Sequence, residues 1–272
     1  MNIDLAHKYD QLKTELHRLG SVAVAFSGGV DSTLLAKVAH DELGTNMIAV
    51  TAALRAVPHI ELTEADVWCA EQGIPHVTVT FDELTVPGYD QNPPDRCYLC
   101  KRAVFSTLLD EAQRHGIVHV VDGSNVDDRG DYRPGMRALA ELGVLSPLST
   151  CGFTKADVRE LSHELGLPTW NKPSAACLAS RFVYGETITA QKLTRVENAE
   201  TYLHELGIAQ ARVRVHGEAG TLARIEVEPE HIAQLAQPET RSQLVEHLRN
   251  LGFLYVSLDL AGFRSGAMNE AL

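Results

Sequence analysis

The chain has 272 residues, 44% of them hydrophobic and 22% charged, which is ordinary for a globular protein with one large domain or two smaller ones. Its formal net charge of −12 argues against a long nucleic-acid-binding surface, and no apolar run approaches the length of a membrane span. The charged, helix-patterned N-terminus is unlike a signal peptide, and five cysteines suit a reducing compartment. We therefore expect a cytoplasmic protein with no membrane and no nucleic-acid partner.

Short β-rich runs alternate with amphipathic helices in the first half of the chain. The runs that predict strands are 21–26, 46–52, 76–81, 117–123 and 144–148. The predicted helices are 31–43, 60–72, 101–115, 136–142 and 155–165, with Thr154 as an N-cap and Gly44, Gly73, Gly116 and Gly143 as C-caps. Because helical crossovers join parallel strands, this order predicts an α/β fold with a doubly wound, parallel, five-stranded sheet.

The order of elements changes after residue 170. An irregular segment over 171–188 precedes a helix at 189–206, strands at 211–216 and 222–228, helical turns, and a last strand at 253–260. This order predicts a first domain over 1–170, a cysteine-containing linker over 171–188, and a smaller α+β C-terminal domain over 189–272.

A small polar turn, Ser27-Gly28-Gly29, lies between the first strand and the first helix of the sheet, which Asp31 and Ser32 open. A helix N-terminus leaves backbone N–H groups unpaired, and glycines let an anion approach them closely. The spacing matches neither the Walker P-loop nor the G-x-G-x-x-G fingerprint. The turn alone is equally consistent with a phosphate site and with a plain strand–helix connection.

Polar residues also follow the fourth strand, in the sequence DGSNVDDRGDYRPG (122–135). In an open parallel sheet, ligands bind beyond the carboxyl ends of strands where the winding direction switches, and strands one and four would flank that point. This position favours a binding loop over a merely solvated one. The candidates here are Asp128 as a Mg²⁺ ligand, and Gly123, Asn125 and Arg133 as cofactor-binding residues.

Cys97 and Cys100 form a C-x-x-C at the start of a predicted helix, and Cys177 lies in NKPSAACLASR. Two cysteines cannot complete a tetrahedral zinc site. With Cys177 there are three thiolates, enough for a [4Fe–4S] cluster with one open iron. Cations near Cys177, among them Lys172 and Arg181, are expected to favour its thiolate.

The other two cysteines are expected to be structural. Cys69 lies within a predicted helix, where it would pack one face, and Cys151 lies in a turn without an evident partner.

The stretch SGGVDS (27–32) resembles the SGGxDS signature of the PP-loop ATP pyrophosphatases, which include GMP, NAD, argininosuccinate and asparagine synthetases and tRNA-thiolating enzymes. The resemblance implies that ATP activates the substrate as an adenylate and that a Mg²⁺ ion lies beside its pyrophosphate. The residues implied to bind the ATP phosphates are Ser27, Gly28, Gly29, Asp31 and Ser32. By the same analogy, Thr51 and Ala52 flank the adenine.

Five motifs in order, SGGVDS, RCYLCK, DGSNVDDRGDYRPG, NKPSAACLASR and LAGFRSGAMN, resemble the LarE family of ATP-dependent sulfur transferases in nickel-pincer nucleotide biosynthesis. The resemblance implies a nicotinate-derived pyridinium dicarboxylate mononucleotide as substrate, with a sulfur displacing AMP from its adenylate. Some members sacrifice a cysteine that matches Cys177 and leave dehydroalanine, and others hold an iron–sulfur cluster on three cysteines. Cys97 and Cys100 favour the cluster route here.

An anionic substrate also requires cations. The candidate arginines are Arg181, Arg212, Arg214 and Arg264, with Arg181 also expected at the catalytic cysteine. Arg212 and Arg214 alternate onto one face of a predicted strand, which is equally consistent with a substrate-phosphate site and with an exposed strand face. Glu200 and Glu226 fit either a metal-binding mouth or simple solvation.

Three other functional classes stay open from the sequence. A tRNA thiolase would share these motifs but needs a basic RNA-binding surface. A synthetase that uses ammonia would need no cysteine, and a nucleotide sensor would bind ATP without forming pyrophosphate. We expect a small-molecule nucleotide substrate and a homo-oligomer.

Overall fold

The computed structural model describes residues 1–129, 134–173, 176–217 and 221–264. The chain divides into two compact units, each made from two stretches. The first contains Met1–Glu83 and Cys97–Ala175, and the second contains Leu84–Arg96 and Ala176–Leu272. In the described ranges, no helix is both long and apolar enough to cross a membrane.

The first unit is built on a parallel sheet of four strands in the order β3-β2-β1-β4. Its strands are β1 (Val22–Ala25), β2 (Met47–Ala53), β3 (His76–Thr80) and β4 (His119–Val121). From β1 the chain winds outward through β2 to β3, and it then returns to β4 on the other side of β1. The expected α/β class and parallel winding are confirmed, and the switch point lies between β1 and β4, as predicted.

Helices cover the first-unit sheet and connect its strands. They are α1 (Ile3–Leu19), α2 (Val30–Leu43), α3 (His59–Gln72), α4 (Arg96–Arg114), α5 (Pro134–Glu141), α6 (Pro147–Thr150) and α7 (Lys155–Glu164). Gly73 ends α3 in the left-handed conformation, and Thr154 forms a capping box with Asp157 at the start of α7. The helix containing Cys97 begins at Arg96 rather than at residue 101, because the turn after Pro93 leads directly into it.

The expected strand over 144–148 is not formed. Leu145 makes a single parallel bridge with Val121, and the chain then enters the short helix α6 at Pro147. Proline has no N–H to donate to a strand ladder, whereas it suits the first position of a helix. The fifth strand is therefore reduced to one residue.

Alternate residues of β1 face two apolar layers. Val22 and Val24 belong to a core with Leu16 and Leu35 of α1 and α2, whereas Ala23 belongs to a second core on the other side of the sheet. A sheet buried on both faces explains why its strands read as continuous apolar runs.

The second unit contains a mixed sheet of three strands in the order β5-β6-β7. Its elements are α8 (Ala190–Glu205), β5 (Ala211–His216), β6 (Leu222–Val227), α9 (Pro229–Ala236), α10 (Pro238–Asn250) and β7 (Tyr255–Leu258). β5 and β6 are antiparallel and β6 and β7 are parallel. Phe182 bridges to Val215 of β5, so the segment that follows Cys177 runs beside this sheet.

Candidate functional site

The polar turn between β1 and α2 is held by its own hydroxyl groups. Ser32 Oγ lies 3.1 Å from Ser27 Oγ, accepts a hydrogen bond from the Ser27 N–H (3.2 Å) and donates to the carbonyl of Gly29 (3.2 Å). Gly28 has φ +67°, which favours glycine, and Gly29 is the N-cap of α2. The first N–H groups of α2 have no acceptor within the helix, which leaves them available to an anion.

The loop after β4 packs directly against this turn. A Cβ atom on Gly123 would lie 2.9 Å from the Ser32 nitrogen, so only glycine allows this approach. Asn125 Nδ2 donates to Asp31 Oδ1 at 3.0 Å. The two polar loops identified in the sequence therefore meet at the switch point of the sheet.

Lys155 is a residue of this site that the sequence interpretation missed. Its Nζ lies 2.5 Å from Asp31 Oδ2, and its backbone N–H donates to Asp127 Oδ2 at 2.8 Å. Thr154 predicted where α7 begins, but no local pattern indicated that its first residue would face α2. The site therefore carries an ammonium group beside the acidic residue of the turn.

Asp31 and Asp128 are linked through Asn125. The Asn125 side chain donates to Asp31, and its backbone N–H donates to Asp128 Oδ2 at 2.9 Å. Mg²⁺ in phosphate sites is commonly held by one or two carboxylates together with phosphate oxygens, so this pair suits the ion. Among the residues that the structure describes, no group of three or more His, Cys, Asp or Glu side chains forms a ready metal site. Arg133 lies outside the described residues.

The Thr51 hydroxyl binds the backbone of Phe26, the residue that precedes the turn. It donates to the carbonyl of Phe26 at 2.8 Å and lies 2.7 Å from His76 Nε2, and His76 Nδ1 lies 2.9 Å from Asp66. Burial lowers the pKa of His76, against the opposing effect of the Asp66 carboxylate. Ala52, half-buried, follows Thr51 in β2.

Lys172 belongs to the surroundings of this turn. Its Nζ lies 2.5 Å from Glu61, 2.9 Å from Glu64 and 3.4 Å from the carbonyl oxygen of Gly28. Burial acts to lower the pKa of Lys172, but the two glutamates outweigh it and raise the pKa above its ordinary value. The ammonium expected to act on Cys177 is therefore bound to two carboxylates of α3.

The five cysteines, all among the described residues, form no disulfide, and they fall into two classes by exposure. Cys69 and Cys151 are buried, and burial raises the pKa of Cys69 to about 12 and that of Cys151 to about 11. This burial confirms the structural role expected for both. Cys97 is exposed and Cys100 half-buried, three residues apart in the first turns of α4.

Cys177, half-buried, is the N-cap of a short 3₁₀ helix over Leu178–Arg181 in the second unit. The Arg181 guanidinium forms two hydrogen bonds of 2.8 Å with the Glu200 carboxylate, and its side chain is buried with it. Of the two alternatives left open for Glu200, simple solvation is therefore wrong. Arg181, expected as a cation for the substrate, is instead held in the interior.

Arg212 and Arg214 are also buried, so the exposed-face alternative is wrong. Arg214 donates twice to Glu226 Oε2, at 2.8 and 3.0 Å, and Glu226 is buried rather than solvated. Arg212 lies over the Phe263 ring, 5.3 Å from its centroid, and burial lowers the pKa of its guanidinium to about 10. The pair lies inside the second unit because α8 and the segment after Cys177 cover β5, which a strand pattern alone does not reveal. Arg264 is exposed.

The chain resembles several known proteins along its length. It is 46% identical over 268 residues to an uncharacterized protein of Synechocystis sp., covering 98% of this chain and 99% of that one. It is 41% identical over 269 residues to the pyridinium-3,5-bisthiocarboxylic acid mononucleotide synthase of Lactiplantibacillus plantarum, covering 98% of this chain and 96% of the synthase.

A third relative matches only part of the chain. It is a tRNA-specific 2-thiouridylase of Desulforamulus reducens, 27% identical over 57% of this chain and 53% of that protein. No protein-family model matches the chain. The near-complete match at 41% identity confirms the resemblance drawn from the five motifs. The chain therefore belongs to the family of the pyridinium-3,5-bisthiocarboxylic acid mononucleotide synthase.

Proposed function

We propose that this protein is an ATP-dependent sulfurtransferase that converts a carboxylate of a nicotinate-derived pyridinium dicarboxylate mononucleotide into a thiocarboxylate, in nickel-pincer nucleotide biosynthesis. The observation that carries the proposal is the PP-loop turn with Asp31 and Lys155, in a chain that matches the synthase of Lactiplantibacillus plantarum over 98% of its length.

The first step is adenylation of the carboxylate. A carboxylate oxygen attacks the α-phosphorus of ATP, and pyrophosphate leaves with the electrons of the broken P–O bond. The N–H groups of the turn and the hydroxyls of Ser27 and Ser32 bind the phosphates, as do Gly123 and Asn125 of the facing loop and Arg133. The Lys155 side chain moves away from Asp31, and its ammonium group then binds the departing pyrophosphate. Asp31 and Asp128 would hold Mg²⁺, which neutralises the charge of that leaving group.

The second step replaces AMP by sulfur. A sulfur nucleophile attacks the acyl carbon, and AMP leaves with the electron pair of the C–O bond. In the sacrificial route the nucleophile is Cys177 itself, and loss of its Cα proton with cleavage of the Cβ–S bond leaves dehydroalanine and the thiocarboxylate. In the cluster route, a cluster held by Cys97, Cys100 and Cys177 would supply the sulfide in place of that thiol, and no bond of the polypeptide would break.

The donor chemistry of Cys97, Cys100 and Cys177 suits a [4Fe–4S] cluster. Cys97 is exposed and Cys100 and Cys177 are half-buried, whereas burial keeps the other two cysteines protonated. We therefore favour the cluster route, in which these three cysteines would hold the cluster and a sulfide source would replace each sulfur transferred.

The phosphate of the mononucleotide requires cations in the second unit. Arg212 is the strongest candidate to bind this phosphate, because its guanidinium is buried and desolvation strengthens its interaction with an anion. Arg214 lies beside it, and Arg264 follows Phe263, the ring that Arg212 contacts. We assign the substrate phosphate to these three arginines.

A tRNA thiolase is the second candidate, favoured by the match to the 2-thiouridylase. That match covers only 57% of this chain, and the net charge of −12 opposes an RNA-binding surface. Retention of tRNA on a filter at low salt, and its loss at high salt, would support this alternative.

The proposal is tested by identifying the products. Protein purified without oxygen is incubated with ATP, Mg²⁺, sulfide and the dicarboxylate mononucleotide, and the products are separated by chromatography and mass spectrometry. We expect AMP, pyrophosphate and a product in which one oxygen is replaced by sulfur. Asp31→Ala should lose substrate-dependent pyrophosphate release, whereas Asp41→Ala, which removes the partner of Lys37 at the other end of α2, should retain it. ADP and phosphate as products would contradict the proposal.

A further inference from the structure

The backbone on both sides of Cys177 is bound by one buried guanidinium. Arg181 Nη1 donates to the carbonyl of Ala176 at 2.8 Å and to the carbonyl of Cys177 at 3.2 Å. The same nitrogen lies 2.8 Å from Ser180 Oγ. Arg181 therefore holds the peptide groups that fix the direction of the Cys177 side chain.

Two further arginines bind the next carbonyls of the same turn. Arg96 Nη1 donates to the carbonyl of Ala179 at 3.0 Å, and Arg214 Nη1 donates to that of Ser180 at 3.1 Å. Both arginines are buried. Arg96 directly precedes Cys97 in the chain, so the residue that opens the C-x-x-C helix also contacts the Cys177 turn.

Asn92 binds the end of the turn. Its Nδ2 donates to the carbonyls of Phe182 (3.3 Å) and Val183 (2.6 Å), and its side chain also accepts a hydrogen bond from Arg96. Asn92 is fully buried and has φ +51°, a conformation that asparagine tolerates better than most residues. It is therefore held in a specific geometry to reach this backbone.

Stability alone is a weak explanation for this arrangement. Arg181 is 2% exposed and Glu200 5% exposed, and Glu200 also accepts the backbone N–H of Val213 at 2.8 Å. Burying an ion pair costs desolvation energy that its attraction roughly offsets, and an apolar core often replaces such a pair without loss of stability. The carbonyls of this buried turn need hydrogen-bond donors, but a neutral donor satisfies a carbonyl without burying a charge. Three buried arginines on one short turn therefore indicate that function requires the turn to be held in a fixed position.

We propose that Arg181, oriented by Glu200, and Arg96, oriented by Asn92, are positioning residues that hold the Cys177 turn for sulfur transfer. This inference rests on the proposed function and assigns these residues to its second step alone. A misplacement of about 1 Å at a reacting centre costs about 10²-fold in rate. The adenylation step uses the turn at Ser27–Ser32 and the arginines assigned to the substrate phosphate, and neither Arg181 nor Arg96 is assigned to it.

The test separates the two steps. Substrate-dependent exchange of pyrophosphate into ATP reports adenylation, and formation of the thiocarboxylate reports sulfur transfer. We expect Arg181→Lys and Glu200→Gln to lower sulfur transfer about 10²-fold while exchange stays near wild type. The matched control is Arg195→Lys, on the same helix as Glu200, where the guanidinium covers the Phe253 ring. It should affect neither step.

A second readout distinguishes positioning from general folding. Millimolar guanidinium should restore part of the sulfur transfer of Arg181→Ala. In protein stripped of iron, iodoacetamide should alkylate Cys177 of each variant at a rate that differs from the rate in the wild type. Full sulfur transfer in folded Arg181→Lys and Glu200→Gln, or an equal loss of both steps, would overturn the inference. If Arg181→Lys does not fold, Glu200→Gln decides. Wild-type protein that performs neither step would overturn the proposed function instead.

Discussion

At the scale of single residues, burial decides which thiols and which arginines are available for chemistry. Cys69 and Cys97 are both cysteines of helices, yet one is buried in the core and the other is exposed. Arg181 and Arg264 carry the same charge, yet one is saturated with internal partners and the other lies at the surface. The reactivity of a side chain therefore depends on its burial and its partners as well as on its residue type.

This difference predicts how the cysteines react with iodoacetamide at pH 8 in protein stripped of iron. Cys97 should be alkylated rapidly, whereas Cys69 and Cys151 should stay unmodified, because the thiolate is the reactive form and burial raises their pKa to about 12 and about 11. Raising the pH to 10 should still leave both mostly protonated. Peptide mass mapping gives the label at each position, with fully denatured protein as the control. Labelling of native Cys69 as fast as Cys97 would contradict the prediction.

At the scale of elements, the approach of the β4 loop to the N-terminus of α2 creates the proposed nucleotide site. Gly123 permits this approach, and Asn125 and Lys155 then reach Asp31 from two different elements. The site is thus assembled from three chain segments at one edge of the sheet.

Gly123→Ala should therefore weaken ATP binding about tenfold or more. Its Cβ would lie 2.9 Å from the Ser32 nitrogen, and relieving such overpacking costs about 1–3 kcal/mol. The control is Asp41→Ala, which removes the partner of Lys37 at the other end of α2 and should leave the affinity for ATP unchanged. Calorimetric titration with ATP gives the affinities, and urea unfolding shows whether each variant is folded. Unchanged affinity in Gly123→Ala would mean that the β4 loop does not form part of the site.

At the scale of the whole molecule, the reactive cysteines are distributed over both compact units. Cys97 and Cys100 belong to the first unit and Cys177 to the second, and the segment Leu84–Arg96 joins the second unit although the C-x-x-C follows it directly. Only the complete chain therefore contains all the residues of the proposed cluster route.

For the complete protein, purified without oxygen, we expect a brown colour and bound iron. Cys97→Ala, Cys100→Ala and Cys177→Ala should each lose the iron, because three thiolates are the proposed ligands, whereas Cys69→Ala and Cys151→Ala should keep it. With added sulfide the enzyme should turn over repeatedly at unchanged polypeptide mass. A single turnover that leaves dehydroalanine at position 177, in protein shown to contain intact cluster, would establish the sacrificial route instead.

Local patterns in the sequence were sufficient for the alternation of strands and helices, the turn at Ser27–Ser32, the cap at Thr154 and the family resemblance. Each of these depends on residues close together in the chain, because periodicity, caps and turns are set by neighbouring backbone groups.

The tertiary structure decided what depends on distant partners. Lys155 and Asp31 are 124 residues apart in sequence, and Lys172 lies 111 residues from Glu61. Arg212 and Arg214 alternate on a strand as predicted, but packing over that strand buries them. The expected fifth strand is reduced to the bridge at Leu145, because Pro147 has no N–H to donate to a strand and instead begins a helix. Burial and long-range pairing follow from how the elements pack, and no stretch of sequence contains that information by itself.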